Sequence, residues 1–291
     1  MTHGTPPRLP AVLAPYVTAV VPYDLDMGPP GVHRGMPGPG LTFELPLDEP
    51  LDVSWAGQDH TRRQAWSCVS GLHTRPAAIH HDGHQRGVSV SLTLRGARAL
   101  LGVPAGELAG QLVSLPEVAP HLAHLPELLA QSPTTATVAR VLVRRLAQAG
   151  EPGPRAEVGR ALALIARGGQ VRDVAAEQGW SRRHLQDLVR AECGLTPRDL
   201  RRVARLARSR GGLVVAARSA AARSHRANLA DVAASAGYAD HAHMTREWVA
   251  LAGCTPSTWL REEFPYVQDV ADPARASWEA PEHASEQGGP R

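Results

Sequence analysis

Two stretches of the chain repeat one another: DVAAEQGWSRRHLQDLVRAECGLTP at 173–197 and DVAASAGYADHAHMTREWVALAGCTP at 231–256. Each starts Asp-Val-Ala-Ala, reaches a glycine followed by an aromatic, runs with helical apolar spacing to a second glycine, and closes on Thr-Pro. Two short helices that cross steeply need a small residue where the backbones approach and a turn residue tolerant of positive φ. Ala175 and Gly179 supply both in the first copy, Ala233 and Gly237 in the second. Val174, Trp180, Leu185, Leu188 and Val189 are the apolar contacts of the first crossing; Val232, Tyr238, Met244 and Trp248 are those of the second. Ser181 and Asp240 stand where a side-chain oxygen caps the second helix of each pair. Gly194 and Gly253 suit helix ends. Thr196-Pro197 and Thr255-Pro256 each put a capping residue before a proline at a first helical position, which opens another helix.

Charge is distributed unevenly around this repeat. Residues 155–261 hold 18 arginines against 9 acids, a net +9, whereas 1–154 carry −1 and 262–291 carry −5. The chain has no lysine, which a bias toward arginine codons explains more simply than selection for phosphate binding. A doubled crossed-helix unit inside a basic segment is the pattern of a helix-turn-helix DNA reader, whose second helix offers its N-terminal residues to base edges in the major groove. With Leu185, Leu188 and Val189 inward, that helix presents Ser181, Arg182, Arg183, Gln186 and Arg190. Arginine suits guanine and glutamine suits adenine, though either also holds phosphate. The second copy presents Asp240, His241, Ala242, Thr245 and Arg246, a smaller and less basic surface, so the first unit is expected to read more of the sequence. Arg198, Arg201, Arg202 and Arg205 share one helix face between the units and are expected to follow phosphates.

The first hundred residues read differently. LTFELPL (41–47), LDVSW (51–55) and VSVSLTL (88–94) alternate apolar and polar residues, the period of half-buried strands, with Pro and Gly between them. Asp82-Gly83 is expected at a hairpin tip. RGARALLG (95–102), LPELLAQ (125–131) and TATVARVLVRRLAQAG (135–150) have helical spacing, and EPGP (151–154) reads as a linker. The expected class is α+β in two domains. A β-rich sensor domain occupies 1–112, with a cupin-like barrel one architecture that fits, and a helical extension and candidate dimerisation element occupies 113–150. An all-α DNA-binding domain follows at 155–266, then an acidic disordered tail at 270–291. No run approaches the ~18 apolar residues of a membrane span. The first residues lack the pattern of a secretory leader, and three scattered cysteines argue against a disulfide framework, so a cytoplasmic protein is expected.

The doubled motif ending GLTP and GCTP, with GYADHAHMTREWVALAGCTPSTW in its second unit, resembles the AraC/XylS family of transcriptional regulators over about 155–264. RGMPGPGLTFEL, GLHTRPAAIHHDGHQRGVSVSLT and GARALLGVPAGEL resemble, more weakly, the β-rich domain of some actinobacterial members. The family resemblance implies recognition helices at about 181–192 and 240–251 in successive major-groove segments, joined by a linker helix. It also implies an N-terminal domain that senses a ligand or mediates dimerisation. Implied partners are double-stranded DNA, a small-molecule effector, RNA polymerase if the protein activates, and a second copy of the chain. Met244 replaces an aromatic usual in the family. The stretch from Pro197 to Val232 is about nine residues longer than usual, and Arg210-Gly211-Gly212 is expected to interrupt the linker helix.

Other chemistry is less favoured. His73, His80, His81 and His84, with His33 and His60 upstream, are the densest set of metal-ligand types, but adjacent His80 and His81 point to opposite faces of a strand. Cys193 and Cys254 read as small buried apolar residues. His121, His124, Glu117 and Glu127 lack convincing catalytic partners, and no nucleophile elbow, phosphate loop or dinucleotide fingerprint is present. No cofactor, metal or enzymatic activity is expected. The alternatives are a metal- or small-molecule-binding barrel enzyme with a helical appendage, and a basic module that binds an acidic protein.

Overall fold

A computed structural model of the chain describes residues 9–149, 156–223 and 228–263. The EPGP segment and the acidic tail lie outside these residues. Among the described residues the N-terminal half contains nine strands: β1 (Val17–Asp26), β2 (Gly31–Gly35), β3 (Leu41–Pro46), β4 (Leu51–Trp55), β5 (Gln58–Ala65), β6 (Cys68–Ser70), β7 (Ala77–His81), β8 (His84–Leu92) and β9 (Leu112–Val113). They form two antiparallel sheets, one ordered β1-β8-β3-β6-β9 and the other β2-β7-β4-β5. The three alternating runs in the sequence are β3, β4 and the end of β8.

Asp82-Gly83 does not close a hairpin. β7 pairs with β2 and β4 in one sheet, and β8 with β1 and β3 in the other, so this turn carries the chain between sheets. Gly83 adopts φ +122°, and its carbonyl accepts a hydrogen bond of 2.8 Å from the Met27 amide. A Cβ there would stand 2.4 Å from the Gly28 carbonyl oxygen. The turn thus locks onto the β1–β2 connection, which makes the same crossing.

The first sheet separates two environments. Leu41, Phe43 and Leu45 of β3, with Val88, Val90 and Leu92 of β8, are buried against helices. These helices include α1 (Leu94–Gly96), continued by a π turn at Ala97–Leu101, α3 (Leu125–Gln131) and α4 (Thr135–Gln148), with the short α2 (Leu115–Val118) between. Thr42, Glu44, Ser89 and Ser91 point the other way, toward the second sheet, and line a cavity of about 330 Å³.

The C-terminal half is helical: α5 (Ala156–Ala166), α6 (Val171–Glu177), α7 (Arg182–Cys193), α8 (Pro197–Arg223), α9 (Leu229–Ala236), α10 (His241–Ala252) and α11 (Pro256–Glu262). The expected break at Arg210-Gly211-Gly212 does not occur, because α8 runs unbroken through both glycines. A Cβ on Gly212 would meet Val232 Cγ1 at 3.2 Å, so the absent side chain lets α9 pack closely on α8. That packing, with Leu206 and Leu213 fully buried beside it, outweighs the ~1 kcal/mol cost of a mid-helix glycine.

The apolar core crosses the boundary between the halves. Leu185, Val189, Cys193, Leu200 and Val203 join the core that holds the first sheet and α3–α4, whereas Val232, Met244, Trp248, Leu251 and Trp259 form a core of their own. Polar ties reinforce both contacts. Arg98 forks onto Glu192 at 2.7 and 3.1 Å, and Gly106 lies so close to α7 that a Cβ would sit 2.4 Å from the Ala191 carbonyl oxygen. Arg34 binds Glu262 at 2.7 Å and Glu263 at 3.3 Å, and its amide donates to Glu263 at 3.1 Å.

Candidate nucleic-acid interface

Each repeated stretch folds as the residues demand. Ala175 and Ala233 are buried at the crossings, and Gly179 and Gly237 take φ +68° and +87° in the turns. The Ser181 hydroxyl accepts from the His184 amide at 3.1 Å, and the Asp240 carboxylate accepts from the His243 amide at 2.6 Å. α7 and α10 therefore start one residue after their caps, at Arg182 and His241. Met244 and Trp248 are fully buried, so methionine fills the aromatic position without loss of the core. Cys193 and Cys254 are buried free thiols, as is Cys68.

Ser181, Arg182, Arg183, Gln186 and Arg190 are all exposed along one side of α7. In the second unit Asp240, His241, Ala242 and Arg246 are exposed, while the Thr245 hydroxyl folds back to donate to the His241 carbonyl at 3.0 Å. Among the described residues, Arg182, Arg183, Arg190, Arg198, Arg201 and Arg246 have no acidic partner. These cations border three adjoining depressions. The first is lined by Arg182, Arg183, Gln186 and Arg190; the next shares Gln186 and Arg190 and adds Arg198 and Arg201; the third shares Arg198 and reaches Arg246. The two repeats thus contribute to one continuous basic tract.

The stripe on α8 divides. Arg198 is exposed and Arg201 half-buried, both available to a polyanion. Arg205 instead makes two hydrogen bonds to Glu247 of α10, and Arg202 bridges Asp199 and Glu247 at 3.2 and 3.4 Å. Sequence reasoning also missed Arg208. Its guanidinium donates to the Ala166 carbonyl at 3.0 Å and the Ala236 carbonyl at 3.2 Å, so one fork joins the C-terminal ends of α5 and α9. Burial holds this guanidinium below its ordinary pKa. The only available signal was its place three residues after Arg205, on the face that packs inward.

The histidines are scattered across the β-rich half. Val32 pairs with His80 and Gly31 with His81, so the adjacent histidines face opposite ways. His33 and His81 approach edge to face, with ring centroids 6.1 Å apart. His84 contacts Asp24 at 2.8 Å, and His73 packs against Trp55. Among the described residues no three His, Cys, Asp or Glu side chains converge as a metal set. Glu117 is held in a capping box with Ser114, and His121 contacts the Leu100 carbonyl at 2.7 Å. No described helix is long and apolar enough to cross a membrane.

Comparison with known proteins places this geometry. A helix-turn-helix domain family matches residues 174–262, which span both repeated units. No curated protein matches the sequence. Among solved structures, ToxT from Vibrio cholerae at 1.65 Å aligns with a TM-score of 0.52 and 10% identity, over 84% of this chain and 98% of that one. ToxT from Vibrio cholerae O395 aligns with a TM-score of 0.50 and 9% identity, over 84% and 97%. At such identities the likeness is one of fold: a β-rich N-terminal region followed by a helical helix-turn-helix region. Residues 174–262 of this chain are a helix-turn-helix domain of the AraC type, set behind a β-rich region in a ToxT-like two-domain architecture.

Proposed function

We propose that the protein is a sequence-specific DNA-binding transcriptional regulator without catalytic activity, acting in the cytoplasm. The AraC-type domain supports the DNA-binding role. The observation that carries this reading is the capped, outward-facing start of α7, with Arg182 and Arg183, unpaired among the described residues, opening a basic tract that continues to Arg246. In this reading α7 and α10 enter successive major-groove segments. Arg182, Arg183, Gln186 and Arg190 read bases, with Ser181 at the groove edge, while His241, Ala242, Thr245 and Arg246 make a smaller second contact beside the Asp240 cap. Arg198 and Arg201 hold phosphate. Pairing of two chains through 113–150, where Leu128 is exposed, would double the site, and contact with RNA polymerase belongs to this reading if the protein activates.

The cavity between the sheets supports a sensor role for the β-rich half. Arg210, Trp259 and Glu263 from the helical half also line it, so an occupant would touch both halves at once. Selection of bound duplexes from a random pool by the full chain tests the reading. A single enriched motif, protected as two adjacent major-groove segments in footprinting, is expected. Enrichment of no sequence would favour a basic module for an acidic protein instead.

A further inference from the structure

The cavity has two unlike walls. Thr42, Glu44, Ser89 and Ser91 give the first sheet a polar face toward it, whereas Leu51, Val53, Ala77 and Ile79 give the second sheet an apolar one. Glu44 sits in β3 between Ser89 of β8 and Cys68 of β6. The Ser89 hydroxyl donates to its carboxylate at 2.7 Å, and among the described residues no cation joins it. Its side chain is surrounded by protein, and the surface it retains belongs to the cavity wall.

We propose that this cavity binds an apolar molecule bearing a protonated amine, whose ammonium group pairs with the Glu44 carboxylate while its apolar body lies against Leu51, Val53, Ala77 and Ile79. The proposal rests on the sensor reading above and names the ligand's chemistry. An enclosed carboxylate with one neutral donor is poorly compensated, and a ligand cation supplies the missing charge. Of the cavity's own cations, Arg34 is held by Glu262 and Glu263, and Arg210 has an interaction of its own. A carboxylate ligand would find its charge opposed by Glu44 and Arg34 already held by two acids.

The remaining titratable groups do not repel a cation. Burial pushes His33 and His73 down to about 4, leaving both neutral, and His33 Nε2 is buried without a hydrogen-bond partner among the described residues. Burial and the nearby Glu44 raise Tyr23, and burial raises the Cys68 thiol to about 12, so neither competes for the charge of Glu44. Glu44 itself is raised by burial to about 7, so a bound ammonium would drive off the proton that the free site partly retains.

Calorimetry on the full chain with matched probes tests this. Phenylalkylamines with two-, four- and six-carbon tethers would be compared with the corresponding alcohols and carboxylates. At least one amine is expected to bind more tightly than its alcohol, with its carboxylate weakest, and to release a proton near neutral pH when titrated in buffers of different ionisation heat. Glu44→Gln keeps an acceptor for Ser89. It should weaken the amine at least tenfold, abolish the proton release and leave the alcohol unchanged. Unchanged amine binding by Glu44→Gln, or preference for the carboxylate, would overturn the ammonium assignment while leaving the sensor reading in place. Failure of every probe to bind would overturn both, without touching DNA recognition, which duplex selection reads separately.

Discussion

Arg205 on α8 grips Glu247 on α10 through paired hydrogen bonds of 2.6 and 3.2 Å, and this fork sets the second helix-turn-helix against the linker helix. Arg202 and His243 approach the same carboxylate, at 3.4 and 3.8 Å. Both partners of the fork are largely buried, so removing the acid would leave Arg205 without its acidic partner and Arg202 with Asp199 alone. Glu247→Ala is expected to lower stability by ~1–3 kcal/mol in urea unfolding. A loss below a few tenths would show that the fork is incidental.

Arg182 opens α7 at the exposed edge of the first unit. Arg182→Ala should weaken binding to a selected site by ~1–3 kcal/mol and relax preference at one base position. Electrophoretic titration against the site and its single-base variants measures both. Equal loss on every duplex would reassign the side chain to phosphate.

Arg198 and Arg201 stand free in the tract, whereas Arg202 and Arg205 are held by Glu247. Replacing the first pair with alanine should weaken all duplexes alike and reduce the salt slope by about 2, or ~0.9 per phosphate contact. Replacing the second pair should change the slope less and stability more. The reverse ranking would place phosphate on the paired arginines.

Arg208→Lys preserves charge but cannot fork between the Ala166 and Ala236 carbonyls. We expect a loss of ~1–3 kcal/mol in stability, since one of two helix ends would lose its donor. Wild-type stability in this variant would mean that water replaces the fork at no cost.

The β-rich half holds titrations of opposite sign. His73, lowered by burial to about 4, binds a proton more readily when unfolded, so its contribution is complete above the unfolded pKa and is lost as pH falls through about 4. His33 behaves alike. Glu44, raised by burial to about 7, binds its proton more tightly when folded; its contribution is present below its ordinary value and is lost as pH rises through about 7. The effects oppose one another between about pH 4.5 and 6.5. Glu44→Gln should therefore gain stability relative to wild type, by ~1–3 kcal/mol, between about pH 5 and pH 8. Parallel wild-type and variant profiles would show that Glu44 titrates normally.

Local chemistry was the legible part. Caps such as Ser181 and Asp240, turn glycines such as Gly179, and the inward Met244–Trp248 pair act within a few residues, so one stretch contains the whole argument. Contacts distant in sequence left weaker traces. Gly211-Gly212 reads as a break by local propensity, yet Val232 of α9 makes it a site of close packing. Arg205 reads as part of a basic stripe and Arg208 draws no reading at all, but their partners lie on α10, α5 and α9. Alternation in β3 announced that Glu44 faces away from Phe43; it carried no information about whether that other side met solvent or an enclosed space.

The continuity of one core from β3 through α4 to α7 makes the first repeated unit a different kind of part from the second. Leu185 and Val189 lie in the same apolar mass as Phe43 and Val138, so a cut at the compositional seam would expose that mass on both fragments. The first repeated unit and the β-rich half should melt as one cooperative block. The second unit, built around Trp248 and Trp259, has its own core, tied to the β-rich half through Arg34, and is expected to loosen first. Flexibility is thereby expected in the second repeated unit rather than the first.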